Sequence, residues 1–199
     1  MTLDTPEGRA LLDAAGRLLE EEGPKALTVR RIAARAGCST MLVYSRMGGK
    51  PGVVNALLIE GFGRLTAAMR AARATDDPVA DLRRCARAYR RFARENRPYY
   101  SLMFERVVAD VPLAPDTAAV ASATLDVLGA RVQRVIDAGI FPQQDARHAA
   151  ACLWAANHGV VSLELKQVGP PGTDWPKRHA QVVDAMLAGL AVAATPART

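Results

Sequence analysis

The sequence has few of the features on which secreted and membrane-bound proteins depend. Because Cys38, Cys85 and Cys152 are odd in number and widely spaced, we expect reduced thiols and no disulfide framework. No apolar run of about 18 residues is present, and no charged segment followed by an apolar one opens the chain, so neither a membrane span nor a signal peptide is expected. These absences predict a soluble, cytoplasmic protein.

Recognisable catalytic machinery is also missing. The chain has no glycine-rich phosphate loop, no nucleophile and base at a known spacing, and no paired carboxylates in an apolar segment. Asp145, His148 and Cys152 lie at i, i+3 and i+7 and are residue types that zinc accepts, but the chain contains only three histidines and no second ligand cluster. We therefore predict no enzyme activity, no cofactor and no bound metal.

Strand-like alternation and internal repeats are absent, whereas apolar residues recur at helical spacing throughout the chain. After a three-helix segment at the N-terminus, prolines and glycines divide the remainder into further helices. These are predicted at about residues 50–73, 78–95, 99–104, 116–138, 143–167 and 175–194. The pattern predicts an all-α fold, with a bundle of about six helices following the N-terminal segment.

Acidic residues are missing from the whole interval between Glu22 and Glu60. That interval carries six basic residues, which we expect to be unneutralised, while the entire chain has a net charge of only +6; they are Lys25, Arg30, Arg31, Arg35, Arg46 and Lys50. So concentrated a basic excess is what a DNA phosphate backbone requires. The alternative is a solvated basic surface on a helical protein, since arginine is also a strong helix former.

Two short helices with a sharp break between them are predicted inside this basic interval. Thr28 is a suitable N-cap and Gly37 permits the positive φ that ends a helix, while Ser39 offers a second N-cap two residues later. Between the caps, one face of the first helix is apolar and comprises Val29, Ile32, Ala33 and Ala36. A preceding helix ends at Gly23-Pro24, and the three together predict a helix-turn-helix unit.

The order Ala36-Gly37-Cys38-Ser39, followed by Val43-Tyr44, Met47 and Lys50, resembles the DNA-binding domain of TetR-type transcriptional regulators over roughly residues 9–60. The resemblance implies that Val43, Cys38 and Met47 pack inward, and that the second helix enters the major groove. It divides the chain into a helix-turn-helix DNA-binding domain at 1–50 and a helical ligand-binding and dimerisation domain at 51–199. The DNA-contacting residues that we predict are Thr28, Arg30, Thr40, Met41, Leu42, Tyr44, Ser45, Arg46 and Lys50.

Some of these positions depart from the family pattern. Relatives often have Lys, Gly and Thr where this chain has Thr40, Met41 and Leu42, and an aromatic residue where it has Met47. An apolar reading surface can recognise thymine methyl groups, but it supplies few bidentate hydrogen bonds to bases.

The last two predicted helices carry a wide apolar face and are joined by Gly169-Pro170-Pro171-Gly172. That face comprises Ala149, Leu153, Ala156, Val160, Val182, Val183, Met186, Leu187, Leu190 and Ala191. The TetR resemblance implies that the hairpin pairs with its copy, which makes a homodimer that binds a palindromic double-stranded DNA operator. A monomer whose hairpin packs only on its own body is the alternative.

Trp154, His158 and Gly159 form a W-x-x-x-H-G order that resembles the WHG-type ligand-binding domain of one TetR subgroup. The alternative is that Trp154 fills core and His158 satisfies a buried carbonyl group. A mostly apolar pocket would suit a hydrophobic or aromatic small molecule as effector. The ligand-binding residues that we predict are Tyr89, Phe92, Tyr99, Tyr100, Met103, Phe104, Trp154, Asn157 and His158.

Together these features predict a TetR-like repressor whose operator binding is modulated by a small molecule. The competing hypothesis is an all-helical adaptor that binds acidic proteins or membrane surfaces without specific DNA recognition. It rests on a second group of basic residues, which are Arg83, Arg84, Arg87, Arg90, Arg91 and Arg94. We expect these arginines to form an ordinary solvated helix surface.

Overall fold

The computed structural model describes residues 5–105, 108 and 111–192. Within these ranges every regular element is helical, which confirms the all-α fold. The helices are α1 (Pro6–Glu22), α2 (Val29–Ala36), α3 (Thr40–Met47), α4 (Gly49–Ala71), α5 (Pro78–Glu95), α6 (Arg97–Phe104), α7 (Pro115–Asp137), α8 (Ala146–Lys166) and α9 (Trp175–Ala191), with a 3₁₀ turn at Pro24–Ala26. No helix among them is long and apolar enough to cross a membrane.

Local capping chemistry sets the boundaries of α2 and α3 as the sequence predicts. The Thr28 hydroxyl accepts a hydrogen bond from the Arg31 backbone N–H at 3.3 Å, and Gly37 ends α2 with φ of 67°. The Ser39 hydroxyl then accepts from the Leu42 N–H at 3.3 Å, which starts α3. The predicted helix break is confirmed.

The start of α8 differs from the predicted one. Helix α8 begins at Ala146 instead of Gln143, because the Asp145 carboxylate accepts from the backbone N–H groups of Arg147 and His148 and so caps it. The predicted end of the last helix at residue 194 lies outside the described residues.

The chain divides into two compact units, and α4 and α7 each begin in the first and continue into the second. Unit 1 comprises residues 1–64 and 96–121, and unit 2 comprises residues 65–95 and 122–199. The functional division after residue 50 stays a prediction.

Unit 1 has a continuous hydrophobic core to which α1, α2, α3, α4 and α6 contribute. Its largest fully buried side chains include Leu11, Leu19, Leu27, Ile32, Met47, Leu57 and Tyr99. The Tyr99 hydroxyl donates to Glu60 Oε2 at 3.1 Å, and the Arg64 guanidinium lies 4.3 Å from the centroid of the Tyr99 ring. The core thus holds the two short helices α2 and α3 against longer neighbours.

Unit 2 is held together by α8 and α9, which pack on each other and on α5. Leu153 and Val161 of α8 and Val183 and Leu187 of α9 are buried. Polar groups are paired as well, since Asn157 Oδ1 and His179 Nε2 lie 2.7 Å apart and join α8 to α9. The predicted apolar hairpin therefore has a buried inner side within unit 2.

Candidate nucleic-acid interface

Helix α3 has one buried side and one exposed side, as a recognition helix requires. Val43 and Met47 are buried in the core of unit 1, which confirms their predicted inward packing, and Cys38 before the helix is half-buried against the same core. The opposite side, at positions i, i+1, i+4 and i+5, is exposed and comprises Thr40, Met41, Tyr44 and Ser45. Leu42 and Arg46 are half-buried at its two edges.

The exposed side of α3 is unusually apolar for a protein surface. The Met41 side chain is 72% exposed and the Tyr44 side chain is 58% exposed. The Ser45 hydroxyl donates to the Leu42 carbonyl oxygen at 3.2 Å, so one of the few polar groups on this side is already engaged with its own helix. Exposed large apolar side chains mark an interaction surface when they cluster.

The family resemblance also implies that Thr28, Tyr44 and Lys50 hold phosphates, and the structure places Thr28 and Lys50 at helix starts in unit 1. Thr28 caps α2 and Arg30 is exposed in its first turn, while Lys50 is half-buried in the first turn of α4. Backbone N–H groups at such ends are partly positive and favour anions. The Tyr44 ring packs beside the start of α4, because a Cβ atom added to Gly49 would lie 2.8 Å from Tyr44 Cε1.

The basic residues of the acid-free interval divide into two groups in space. Arg31 pairs with Glu22 and Arg35 pairs with Glu21, both at the acidic end of α1. The interpretation that all six charges are unneutralised is therefore wrong for these two, because acids outside the interval reach them. In the part of the chain that the structure describes, the four without an ion pair are Lys25, Arg30, Arg46 and Lys50.

Sequence reasoning missed Gly52, which permits the close approach of α3 and α4. A Cβ atom at this position would lie 1.5 Å from the carbonyl oxygen of Met47, the last residue of α3. Any other residue would therefore push α4 away from α3. The available signal was a third glycine shortly after Gly48 and Gly49, in the first turn of a predicted helix.

The structural role of Asn55 was also not predicted. Both its amide nitrogen and its amide oxygen are hydrogen-bonded, and these bonds fix the start of α4. Its Nδ2 donates to the carbonyl oxygens of Pro51 at 3.0 Å and Pro112 at 3.1 Å. Its Oδ1 accepts from the Ala114 N–H at 2.8 Å and from the Thr117 hydroxyl at 2.7 Å. A buried asparagine within an apolar helical pattern was the only hint in the sequence.

Four of the predicted ligand-binding residues belong to α6 in unit 1. Tyr99 and Tyr100 are buried, and Met103 and Phe104 are half-buried against the core. The Phe104 ring contacts Tyr100 at 4.9 Å between centroids and meets Phe62 edge-on at 5.8 Å. These residues form one aromatic cluster within that unit.

The other five belong to unit 2, where Tyr89 and Phe92 lie on α5 and the rest on α8. The Tyr89 hydroxyl lies 3.0 Å from His158 Nδ1, and the Trp154 ring is tilted over the His158 ring at 5.6 Å. Trp154 is 36% exposed, so its indole reaches solvent. Asn157 is buried and its amide oxygen is engaged by His179.

Two family models match most of the chain. The model described as bacterial regulatory proteins, tetR family, matches residues 11–57, and the one described as tetracyclin repressor-like, C-terminal domain, matches residues 82–190. The second match alone covers more than half of the sequence. The chain belongs to the TetR family. A search of curated proteins found no match.

Solved structures support the same fold for this TetR-family protein. A protein with unknown function from Rhodococcus sp. RHA1 is 27% identical, with a TM-score of 0.82 over 94% of this chain and 97% of that one. The TetR family transcriptional regulator PfmR from Thermus thermophilus is 24% identical, with a TM-score of 0.65 over 90% and 98%. A tetR family regulatory protein from Rhodococcus RHA1 is 22% identical, with a TM-score of 0.69 over 96% and 100%.

Family membership makes the protein a DNA-binding transcriptional regulator, and the structure weakens the adaptor hypothesis. Of the α5 arginines on which that hypothesis depends, four are engaged by carboxylates inside unit 2; they are Arg83, Arg84, Arg90 and Arg94. Arg83, Arg90 and Arg94 join α5 to α8 or α9, and Arg84 pairs with Asp81 of α5 itself, so these four charges are not free on an open basic surface.

The candidate zinc ligands on α8 of this TetR-family protein are engaged in other interactions. The Asp145 carboxylate caps the helix, and Cys152 Sγ lies 3.8 Å from His148 Nε2. Over residues 5–105, 108 and 111–192, no group of three or more potential metal ligands is assembled. The absence of a metal stays a prediction for the protein as a whole.

Proposed function

We propose that this TetR-family regulator is a dimeric repressor that binds a palindromic operator and is modulated by a small hydrophobic or aromatic molecule. The observation that carries the proposal is the exposed side of α3, flanked by basic residues that have no carboxylate partner among the described residues. Half-sites related by two-fold symmetry double the contacts that one short reading helix can make.

Phosphate contacts fix the orientation of the reading helix on the duplex. Thr28, Tyr44 and Lys50 lie at or beside the first turns of α2 and α4, where hydroxyl, ammonium and backbone N–H groups can meet phosphate oxygens. Arg30 adds a cation on the exposed surface of α2. These four residues supply affinity without base preference.

Base recognition falls to Thr40, Met41, Leu42, Ser45 and Arg46 on α3. Met41 is the most exposed large apolar side chain among them, and an apolar group in the major groove recognises the thymine methyl group. Arg46 is the one side chain of this set that can donate two hydrogen bonds to a guanine edge. We therefore expect each half-site to contain a thymine opposite Met41.

The proposed dimer uses the outer side of α8 and α9. Beyond the buried inner side, each helix carries exposed or half-buried small and apolar residues at i, i+4 and i+8; they are Ala155, Gly159, Leu163, Val182, Met186 and Leu190. Leu163 is 47% exposed, which a second copy would bury. Changing Leu163 to Glu should produce monomers in sedimentation velocity, whereas the same change at Val168, which is exposed just after α8, should leave the dimer intact.

The proposed effector binds the helical body near Trp154 and His158. A ligand releases DNA only if it binds the DNA-incompetent conformation more tightly, and such coupling is typically about 1–3 kcal/mol. Helix α4 begins at the DNA-binding residues and continues into unit 2, so it is the element through which the two sites communicate. Trp154→Ala should abolish the effector response and leave DNA affinity unchanged.

The decisive experiment is selection of bound fragments from random duplex DNA, followed by binding measurements over a range of salt concentrations. The slope of log affinity against log salt reports the phosphates neutralised, so Lys50→Ala should flatten it by about 1. Lys177→Ala is the matched control, because Lys177 is an exposed lysine of α9. An equal loss of slope in both variants, or no enriched palindrome, would refute the proposal.

A second measurement tests the thymine contact. Replacing one thymine of the selected half-site by uracil removes only its methyl group, and affinity should fall at one position. In the Met41→Ala variant the same replacement should have no effect. If the variant and the parent protein respond alike at every thymine, Met41 does not read the base.

A further inference from the structure

An open groove in unit 2 is unrelated to any of the predicted ligand-binding residues. It has a volume of about 450 Å³ and lies between the end of α4, with the residues that follow it, and the middle of α7. Its floor consists of alanine and valine side chains, among them Val127 and Ala130. Four charged residues line it as well, and they are Arg70, Asp126, Arg131 and Arg134.

The ion pairs around the groove leave it with an excess of positive charge. Asp126 is paired with Arg147, so its carboxylate is already engaged. Arg134 is paired with Asp81, which also pairs with Arg84. Neither Arg70 nor Arg131 has a carboxylate partner within residues 5–105, 108 and 111–192. Two cations of the groove are therefore available to an anion.

Of the two arginines, Arg131 is the stronger evidence for an anion site, because this residue is only 9% exposed. Its Nη2 donates to the carbonyl oxygens of Met69, at 2.9 Å, and Ala72 at the end of α4. Its Nη1 is buried and has no hydrogen-bond partner among the described residues. A buried cation without a counter-ion and with an unused donor is costly, and an anion in the groove offsets that cost.

We propose that this groove binds a small carboxylate with a short apolar body. The carboxylate lies between Arg131 and Arg70, whose forked guanidinium groups match its geometry, and the apolar body lies on the alanine and valine floor. The volume is within the range of about 300–1,000 Å³ that is usual for small-molecule sites. This site is additional to the effector site near Trp154 and does not depend on DNA binding.

Isothermal titration of the full chain with benzoate tests the proposal directly. Benzoate should bind saturably with one site per chain. Benzamide, which has the same shape without the charge, and inorganic phosphate, which has charge without an apolar body, should bind much more weakly. Benzoate should also raise the thermal unfolding midpoint, because a ligand that binds the folded chain stabilises it. Arg131, which would contact benzoate, also caps the end of α4. Equal binding of benzamide or of phosphate overturns the assignment, and so does the absence of saturable benzoate binding at millimolar concentration.

Variants locate the site without relying on one residue. Arg70→Gln should weaken benzoate binding about tenfold, the loss expected for a charge-assisted hydrogen bond. Ala130→Phe should block the groove without altering its charge, so it tests the site without removing either arginine. Arg73→Gln is the matched control, because Arg73 is exposed near the end of α4 but does not line the groove. Unchanged binding in both Arg70→Gln and Ala130→Phe would place benzoate elsewhere and overturn the proposal.

Discussion

The protein has two arginine-rich regions, and they serve opposite purposes. In unit 2, α5 uses its arginines to hold helices together: Arg83 pairs with Asp184 of α9 at 2.7 Å, and Arg90 pairs with Glu164 of α8 at 2.6 Å. In unit 1, the described basic residues of the proposed DNA-binding surface have either no carboxylate partner or a partner at the exposed end of α1.

Burial of the carboxylate distinguishes the α5 pairs made with Glu164 and Asp81 from the pairs at the end of α1, whereas Asp184, the partner of Arg83, is exposed. The side chains of Glu164, which pairs with Arg90, and Asp81, which pairs with Arg84, are 8% and 0% exposed, whereas Glu22 is 39% exposed. Breaking a buried pair leaves an uncompensated charge and costs several kcal/mol, while an exposed pair contributes about 0–1 kcal/mol. Arg84 and Arg90 of α5 are therefore structural, whereas Arg31 and Arg35 of α2 can exchange a weak partner for a phosphate.

The largest effect is expected where the geometry of the proposed DNA-binding surface depends on one glycine. Gly52→Ala places a methyl group over the Met47 carbonyl oxygen, so α3 and α4 must separate. We expect a loss of about 4 kcal/mol in the free energy of unfolding, together with loss of DNA binding. Urea unfolding followed by circular dichroism measures the first, and fluorescence anisotropy with the selected operator measures the second.

Gly63→Ala is the control for that substitution. Gly63 lies on the same helix, is exposed, and has no atom within 4 Å of an added Cβ. Alanine is the better helix former by about 1 kcal/mol, so this variant should be as stable as the parent protein or more so. Equal destabilisation by both substitutions would mean that α4 tolerates no alanine, and the close approach at Gly52 would lose its support.

Features that depend on neighbours in the chain were predictable from the sequence. Thr28, Gly37 and Ser39 act through hydrogen bonds or backbone angles within a few residues, and all three cap helices as expected. The two sides of α3 followed from helical periodicity alone, since Val43 and Met47 share one side.

Features that depend on residues remote in the sequence were not predictable. The charge of Arg31 was interpreted as unneutralised because no acidic residue occurs between Glu22 and Glu60. In the folded chain α2 lies close to the end of α1, where Glu22 pairs with Arg31. In the same way, Asn55 has partners about 60 residues further along, at Ala114 and Thr117. Periodicity identifies a buried position, but it does not identify the partner that satisfies a polar group there.

Replacing one arginine from each region should have different effects. Arg90→Gln leaves the buried Glu164 carboxylate short of its main partner, and we expect a loss of about 3 kcal/mol in the free energy of unfolding. Arg30→Gln on α2 should change stability by less than about 0.5 kcal/mol but flatten the salt dependence of DNA binding by about 1. Urea unfolding and anisotropy titrations on both variants measure the two quantities.

The comparison fails if the two effects are exchanged. A destabilised Arg30→Gln variant would show that this side chain is structural despite its exposure. A folded Arg90→Gln variant with a flatter salt dependence would show that α5 itself meets DNA, which would revive the hypothesis of an open basic surface on this helix.

A third, smaller effect concerns pH. Burial alone would raise the pKa of Asp81, but hydrogen bonds from the Thr75 backbone N–H, Arg134, the Thr75 hydroxyl and Arg84 outweigh it and hold the pKa well below its usual range. The carboxylate therefore stabilises the fold above the unfolded-state pKa of about 3.9, and that contribution is lost as the pH falls below it. Asp81→Asn should cost about 1–2 kcal/mol at neutral pH.

Urea unfolding at several pH values measures this contribution. The difference in stability between the parent protein and Asp81→Asn should be constant above about pH 5 and should shrink as the pH falls towards about 2. Asp184→Asn is the control, because Asp184 pairs with Arg83 but is 53% exposed. A constant difference between parent and Asp81→Asn down to the lowest pH would show that the charge of Asp81 does not stabilise the fold.

The smallest effect should come from the exposed pairs of the DNA-binding unit. Glu22→Gln releases Arg31 from its partner, and because both side chains are substantially exposed the stability should change by less than about 0.5 kcal/mol. If Arg31 then meets a phosphate, the slope of log affinity against log salt should steepen by about 0.9. Glu7→Gln makes the same change in net charge in the first turn of α1, remote in the helix from the Arg31 pair. A steeper slope in Glu22→Gln alone would show that the Glu22–Arg31 pair lowers DNA affinity by keeping Arg31 from a phosphate. Equal changes in both variants would show that the effect comes from net charge alone.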